Sequence, residues 1–244
     1  MDYPDGSWYS GNWDRGFKNG LGRLERPDTT FQFGVWEKGV LRDRGLGWRQ
    51  ESAVYGIDLS HHQPRIEWNE LALYCDKTGR VGSRKARSTE YVRPVSFVFV
   101  KATQGVTIKD DKYHEFSSNA RRMRIPVGSY HFLSLESDIT SQVDSFASYA
   151  TFEPGDLPPV LDVELSEAKV RDYGEDRLRD SVLLALRLIE DRFGVRPIVY
   201  SGDFFHRDHL STDAFGAYDF WVARYGREPG TPHIIWQFNT SMKM

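Results

Sequence analysis

The residues best able to do chemistry stand together in the run Leu157-Pro158-Pro159-Val160-Leu161-Asp162-Val163-Glu164-Leu165. Apolar residues flank two carboxylates, and Asp156 and Ser166 close the run, so it reads as a short buried strand. Side chains alternate along a strand, which puts Asp162 and Glu164 on one face and Leu161, Val163 and Leu165 on the other. Two carboxylates roughly 6–7 Å apart along a strand in an apolar setting push each other's pKa values apart. One keeps its proton near neutral pH while its neighbour stays ionised. That division of labour is what glycoside hydrolysis requires. An exposed strand end carrying two solvated acids would show the same pattern, and the spacing alone leaves both readings open.

Length and composition narrow the setting. The chain has 244 residues, enough for one large α/β domain with a buried core, or that domain with a small module beside it. A net charge of −3 gives no electrostatic case for nucleic acid or an anionic membrane. Aromatic residues make up 14%, and such rings line carbohydrate sites as well as cores. The single cysteine, Cys75, excludes an internal disulfide and a Cys-based metal cluster, and its apolar context reads as a buried structural thiol. No run approaches the length of a membrane span. The start, Met1-Asp2-Tyr3-Pro4-Asp5, has neither a basic nor an apolar leader region, so no signal peptide is visible and the export route is open.

The elements that must position the two acids follow from patterning. Val54–Leu59 is strand-like and carries Asp58 near its end, before the polar loop Ser60-His61-His62-Gln63. Residues 66–74 place apolar side chains at helical spacing, and 78–90 read as a solvated loop. Strands are expected over 95–100, 126–132, 196–200, 219–225 and 233–238, with helices over 113–124, 140–149 and about 175–193. Strands apolar on both faces alternating with helices argue for a parallel sheet covered by helices, an α/β fold. With this many strands ending in polar residues, the expectation is a modified (β/α) TIM-like barrel, whose reactive groups gather at the C-terminal strand ends. Asp58, Lys101, Gln104, His131, Asp162, Glu164, Tyr200, Arg224 and Gln237 all fall there. The histidines offer no acidic third ligand at suitable spacing, so no metal and no cofactor is expected.

Residues 1–45 differ from the rest: they are rich in Gly, Trp and Phe, and they repeat. Pro4-Asp5 recurs as Pro27-Asp28, Gly11-x-Trp13-x-x-Gly16 as Gly34-x-Trp36-x-x-Gly39, and Arg15 as Lys38, each 23 residues on (34 − 11). A short fixed period marks stacked units, here β-hairpins with glycine turns. The stretch Tyr9-x-Gly11-x-Trp13-x-x-Gly16-x-x-x-Gly20-x-Gly22 resembles a MORN repeat, and Phe33-Gly34-Val35-Trp36-Glu37-Lys38-Gly39 is a degenerate second copy, with Gln32 where the motif expects an aromatic. These repeats read either as a cap packed on the following domain or as a docking site for a protein partner. Residues 46–53 read as a linker, and 54–244 as the barrel.

Taken together, the strand ends resemble the glycoside hydrolase family 25 lysozymes. The matching pieces are Gly56-Ile57-Asp58-Leu59-Ser60-His61-His62-Gln63, Phe99-Val100-Lys101-Ala102-Thr103-Gln104-Gly105, Gly128-Ser129-Tyr130-His131-Phe132, Leu161-Asp162-Val163-Glu164, Pro197-Ile198-Val199-Tyr200, Trp221-Val222-Ala223-Arg224-Tyr225 and Trp236-Gln237-Phe238. They occur in the family's order over roughly residues 54–240. The resemblance implies a muramidase acting on peptidoglycan glycan strands, at the bacterial cell wall, in the periplasm or outside the cell. It implies Glu164 as general acid, Asp162 as its ionised partner, steadying the oxocarbenium-like transition state or orienting the substrate's acetamido group, and Asp58 on the barrel floor. Lys101 and Gln104 would then contact sugar hydroxyls or fix the carboxylates, and Tyr130 and Tyr200 would pack on sugar faces. His131, Arg224 and Gln237 complete the implied substrate-binding set. One departure stands out: the family continues past the Trp-Gln-Phe strand to a strand with a Val-Asp-Leu-Asn-like block, where this sequence reads Asn239-Thr240-Ser241-Met242-Lys243-Met244. The expectation there is an absent or replaced last strand. A glycan-binding barrel without catalysis is the alternative that this departure motivates, with the repeats as a docking adaptor.

Overall fold

The computed structural model describes residues 1–28, 30–42, 54–63, 65–75, 81–82 and 91–239. The linker expected over 46–53 lies outside the described residues, as does the side chain of Cys75.

The chain opens with four antiparallel strands in sequential order, β1 (Trp8–Asp14), β2 (Phe17–Glu25), β3 (Phe31–Glu37) and β4 (Val40–Leu41). The 23-residue sequence period reappears in the backbone. Arg15 and Gly16 turn β1 into β2 with φ of 48° and 82°, and Lys38 and Gly39 turn β3 into β4 with 49° and 86°. Two consecutive positive φ values make the tight turn whose twist matches that of paired strands, which is why glycine holds the second position in both copies. The preceding bends also match. The Asp5 carboxylate accepts from the amide and hydroxyl of Ser7 at 2.9 and 2.6 Å, and Asp28 accepts from those of Thr30 at 3.0 and 2.6 Å. Tyr9 is buried between Trp13 and Trp36, edge-on to both at 5.2 and 5.5 Å. The sheet docks on the larger body through Asn12 Nδ2 donating to Glu70 Oε1 at 3.3 Å and an Arg124–Asp2 ion pair at 3.0 Å.

In the body, β5 (Gly56–Leu59) is followed by a short 3₁₀ turn (Trp68–Glu70) and β6 (Ala72–Cys75). The helix expected over 66–74 is therefore not formed. Residues 72–75 pair antiparallel with both β7 (Val81–Gly82) and β8 (Tyr91–Pro94), and these two ladders outweigh a helical spacing that spans barely two turns. Beyond them come β9 (Phe97–Gln104), β10 (Ile108–Lys109), α1 (Tyr113–Arg122), β11 (Val127–Phe132), α2 (Ile139–Tyr149), β12 (Val160–Asp162), α3 (Glu167–Tyr173) and α4 (Glu175–Phe193). The chain continues through β13 (Ile198–Gly202), a short α5 (Asp203–Phe205), β14 (Asp219–Ala223) and β15 (Ile235–Gln237).

Strands β5, β9, β11, β12, β13, β14 and β15 lie in that order, all parallel, and β10 folds back antiparallel on the end of β9. The sheet curls until its first and last strands approach. Gln237 Nε2 donates to Asp58 Oδ1 at 2.9 Å, and the rings of Tyr55 and Phe238 meet edge-on at 6.3 Å. Strand alternation splits the core in two. Leu161, Val163 and Val199 face the helices with Val182, Leu186 and Ile189 of α4, while Phe99, Val160, Ile198 and Trp221 fill the concave side. Gly128 is needed there, because a Cβ would stand 2.1 Å from the Phe99 ring.

Candidate active site

On the concave side, at the C-terminal strand ends, a small cavity of about 100 Å³ is lined by Asp58, Tyr130, Asp162, Glu164, Tyr200 and Trp221, with Val160 at its base. Five strands or strand ends contribute, which is how residues more than 160 positions apart (221 − 58 = 163) come to share one floor. Only Val160–Asp162 of the expected longer strand is paired, and Pro158 and Pro159 just before it have no N–H to give a ladder. Asp162 is the last paired residue, and Glu164 follows two positions on, open to the cleft.

The carboxyls are crowded and poorly compensated. Asp162 is 6% exposed, and its Oδ1 is buried without a hydrogen-bond partner. Burial first, then the charge of Glu164, pushes Asp162 well above the usual carboxylate range, against the pull of Lys101. Burial also raises Glu164, with a hydrogen bond from Tyr200 acting the other way. Asp58 is open to the cleft, yet the surrounding walls desolvate it enough to raise its pKa too, opposed by its bond from Gln237. Lys101 is buried beside them, its Nζ donating to Gln104 Oε1 at 2.7 Å and lying 4.9 Å from the Phe132 ring. Burial lowers its pKa, while Asp162, Asp110 and Glu164 raise it.

A hydrogen-bonded chain ties the acids together. The Tyr200 hydroxyl donates to Gln237 Oε1 at 2.6 Å and lies 3.3 Å from Glu164 Oε1, and Gln237 donates onward to Asp58. A hydroxyl has one proton, so Tyr200 donates to Gln237 while a protonated Glu164 donates to it, and turns its proton to Glu164 when that carboxyl is ionised. The site can thus hold one proton on a carboxyl that faces the cleft, next to carboxylates that steady positive charge.

Of the residues singled out from sequence, Asp58, Asp162, Glu164, Tyr130 and Tyr200 line the cavity, Gln237 reaches it through the bonds above, and Lys101, bonded to Gln104, acts on its carboxyls by charge. His131 is turned the other way. It is fully buried against α2, bonded to Thr103 Oγ1 at 2.7 Å and packed on Phe146 at 5.6 Å, because it alternates with Tyr130 along β11. Burial drives its pKa down to about 4. Arg224 also leaves the cavity and pairs with Asp203 beside a neighbouring pocket. Two residues were missed. Trp221 lines the floor with its buried indole N–H unpartnered, and Tyr225 bonds to Tyr200 and feels the charges of Glu164 and Asp58. Both belong to the block Trp221-Val222-Ala223-Arg224-Tyr225, and period-2 alternation from Tyr225 back to Trp221 was the available signal. Among the described residues, no group of three or more His, Cys, Asp or Glu side chains is arranged to hold a metal ion.

Comparison with known proteins shows the family and the fold. The family model for glycosyl hydrolases family 25 matches residues 57–244. The chain is 32% identical over 186 residues to the uncharacterized protein YegX of Escherichia coli, covering 76% of this chain and 61% of that one. It is 28% identical to an N,O-diacetylmuramidase of Arthroderma benhamiae, covering 77% and 75%. Among solved structures, a lysozyme from Streptomyces coelicolor superposes with a TM-score of 0.62 at 25% identity, covering 79% of this chain and 87% of that one. A family 25 glycosyl hydrolase from Bacillus anthracis shares the fold, with a TM-score of 0.62 at 23% identity over 80% of this chain and 83% of that one. The chain spans about three fifths of the length of YegX.

Proposed function

The chain belongs to glycosyl hydrolases family 25, and from that premise we propose that it is a peptidoglycan muramidase, hydrolysing the β-1,4 bond between N-acetylmuramic acid and N-acetylglucosamine. The observation that carries the reading is the acid pair: Asp162 and Glu164 line one small cavity with raised pKa values and no ion-pair partner among the described residues. Glu164, open to the cleft and bonded to Tyr200, is the general acid for the leaving oxygen. In the empty cleft burial favours the proton on Asp162. The Asp162 carboxyl lines the cavity, where an acetamido N–H of the substrate supplies a donor to it. A hydrogen bond to the ionised form stabilises that form, so substrate binding moves the shared proton's preference to Glu164. Asp162 then steadies the oxocarbenium-like transition state or orients the acetamido group, and Asp58 holds the floor through Gln237.

On this reading the division of the chain is a MORN-like repeat module at 1–45, a linker at 46–53 and the hydrolase barrel at 54–244. The module acts as a cap on the body, in keeping with the Arg124–Asp2 and Asn12–Glu70 contacts. The place of action is the cell wall, in the periplasm or outside the cell.

The test is to incubate the protein with purified peptidoglycan and follow new reducing ends by mass spectrometry, with Glu164→Gln alongside. Products ending in reducing N-acetylmuramic acid, reduced about 10²–10⁴-fold by a variant that cannot supply the proton, are the expected result. A folded wild type that binds glycan and releases nothing would replace this reading with a glycan-binding barrel.

A further inference from the structure

Beside the catalytic cavity lies a second, larger pocket of about 610 Å³, between the ends of β13 and β14. It falls within the roughly 300–1,000 Å³ of sites that bury a small ligand. Its walls are unlike those of its neighbour. Phe204 and Tyr225 present their rings at 59% and 52% exposure, and Arg227 stands exposed on the lining. Its one acid, Asp203, is already bonded to Arg224 and to Thr231 Oγ1. Arg227 makes no ion pair among the described residues. The guanidinium groups of Arg207 and Arg224 both lie 5.0 Å from the Phe204 ring, which fixes that ring on the pocket wall. Tyr225 joins the two cavities: its ring lines the larger pocket, and its hydroxyl bonds to Tyr200, the partner of Glu164.

Charge therefore changes sign between two neighbouring cavities. Where the bond is cut there are three acids, and one step away there are aromatic rings and a cation with no ion pair among the described residues. A bare sugar ring would use the aromatic faces and leave Arg227 without a counterpart. The glycan of peptidoglycan carries on each muramic acid a lactyl-linked peptide branch with free carboxylates, which uses both. Resting on the muramidase reading, we propose that this pocket is a subsite for the carboxylate-bearing peptide branch, with Phe204 and Tyr225 holding its apolar side chains and Arg227 a carboxylate.

Binding, read without turnover, tests the subsite. Calorimetry on Glu164→Gln would compare two tetrasaccharides of alternating N-acetylglucosamine and N-acetylmuramic acid, one with peptide branches and one without. The branched form is expected to bind about tenfold tighter. Phe204→Ala or Arg227→Ala should each remove about three- to fivefold of that advantage while leaving affinity for the unbranched form in place. Both side chains are exposed, so neither change threatens the fold. Equal affinity for the two ligands, or binding of neither, overturns the proposal. So does an equal loss for both ligands in the variants, which would assign the pocket to a sugar. Hydrolysis by the wild type is followed in parallel. Absent products with the affinity difference intact would remove the muramidase reading alone, and products without the difference would remove the subsite alone.

Discussion

Asp162 and Asp203 are the same residue type at the ends of neighbouring strands, 6% and 3% exposed, and they have opposite acidities. Asp162 is buried with one oxygen unpartnered and no ion pair among the described residues, and its carboxyl is pushed well above the usual range. For Asp203, burial pulls the same way, but the Thr231 hydroxyl and the Arg224 guanidinium outweigh it and hold the carboxyl below that range. Burial sets what a charge costs, and partners decide whether it is offset. The carboxyl with the raised pKa is the one without an ion-pair partner among the described residues.

The comparison is broken most severely by swapping each acid for its neutral isostere. Asp162→Asn should lower the rate of glycan cleavage about 10²–10³-fold, as for the loss of one preorganised electrostatic group. It should also raise the melting temperature at neutral pH. A raised folded pKa means that the unfolded state ionises first, from about pH 4, so wild-type stability is full below that value and falls as pH rises through the folded value. Melting curves at pH 3 and pH 7 should therefore show the variant's gain only at pH 7.

Asp203→Asn should do the reverse. It leaves Arg224 without its counter-charge, a loss of roughly 2–3 kcal/mol, discounted from the ~3–5 of a dry buried pair because the pocket is open. At about 2–4 °C per kcal/mol, the expected fall is some 5–10 °C. A depressed folded pKa contributes stability above about pH 4 that is lost as pH drops through the folded value, so this deficit should shrink in acid. Two melting series with the same sign would refute the contrast.

Smaller effects sharpen it. Tyr200→Phe removes the link between Glu164 and Gln237, worth about 1 kcal/mol or a fivefold drop in rate. The high-pH limb of activity should also move, since the Tyr200 bond holds the Glu164 carboxyl down: without it, activity should persist to slightly higher pH. The smallest change is expected at His209, whose ring nitrogens meet Glu175 at 2.8 Å and Glu167 at 3.1 Å. Burial lowers its pKa, but the two carboxylates outweigh it and the net value is raised. Its stabilisation is full below about pH 6.5 and fades as pH climbs through the raised value. His209→Gln should cost about 0.5–1 kcal/mol at pH 6 and less at pH 9.

Much of this was legible locally. The turn pairs Arg15-Gly16 and Lys38-Gly39, with their Asp5 and Asp28 bends, involve residues close in the chain, so a 23-residue period in sequence became one in backbone angles. Helix α4 follows its apolar stripe, because Leu178, Val182, Leu186 and Ile189 have one sheet to cover. The helical spacing of residues 66–74 misleads because the partner that makes Ala72–Cys75 a strand lies some twenty residues away, in Tyr91–Pro94. His131 and Tyr130 had equal standing as strand-end polar residues, and only the pleat's orientation sends one to α2 and the other to the cavity.

The sequence by itself determined the alternation of strands and helices, the repeat module, and the pair Asp162 and Glu164 on one face, since period and propensity act between neighbours. Only the tertiary structure decided which charges are offset. That Arg224 serves Asp203 and leaves Asp162 bare, that Gln237 reaches across the curl to Asp58, and that Tyr225 stands between an acidic and a basic pocket all depend on distances between strand ends. Electrostatic energy depends on separation and burial in space, and neither is a property of position along the chain.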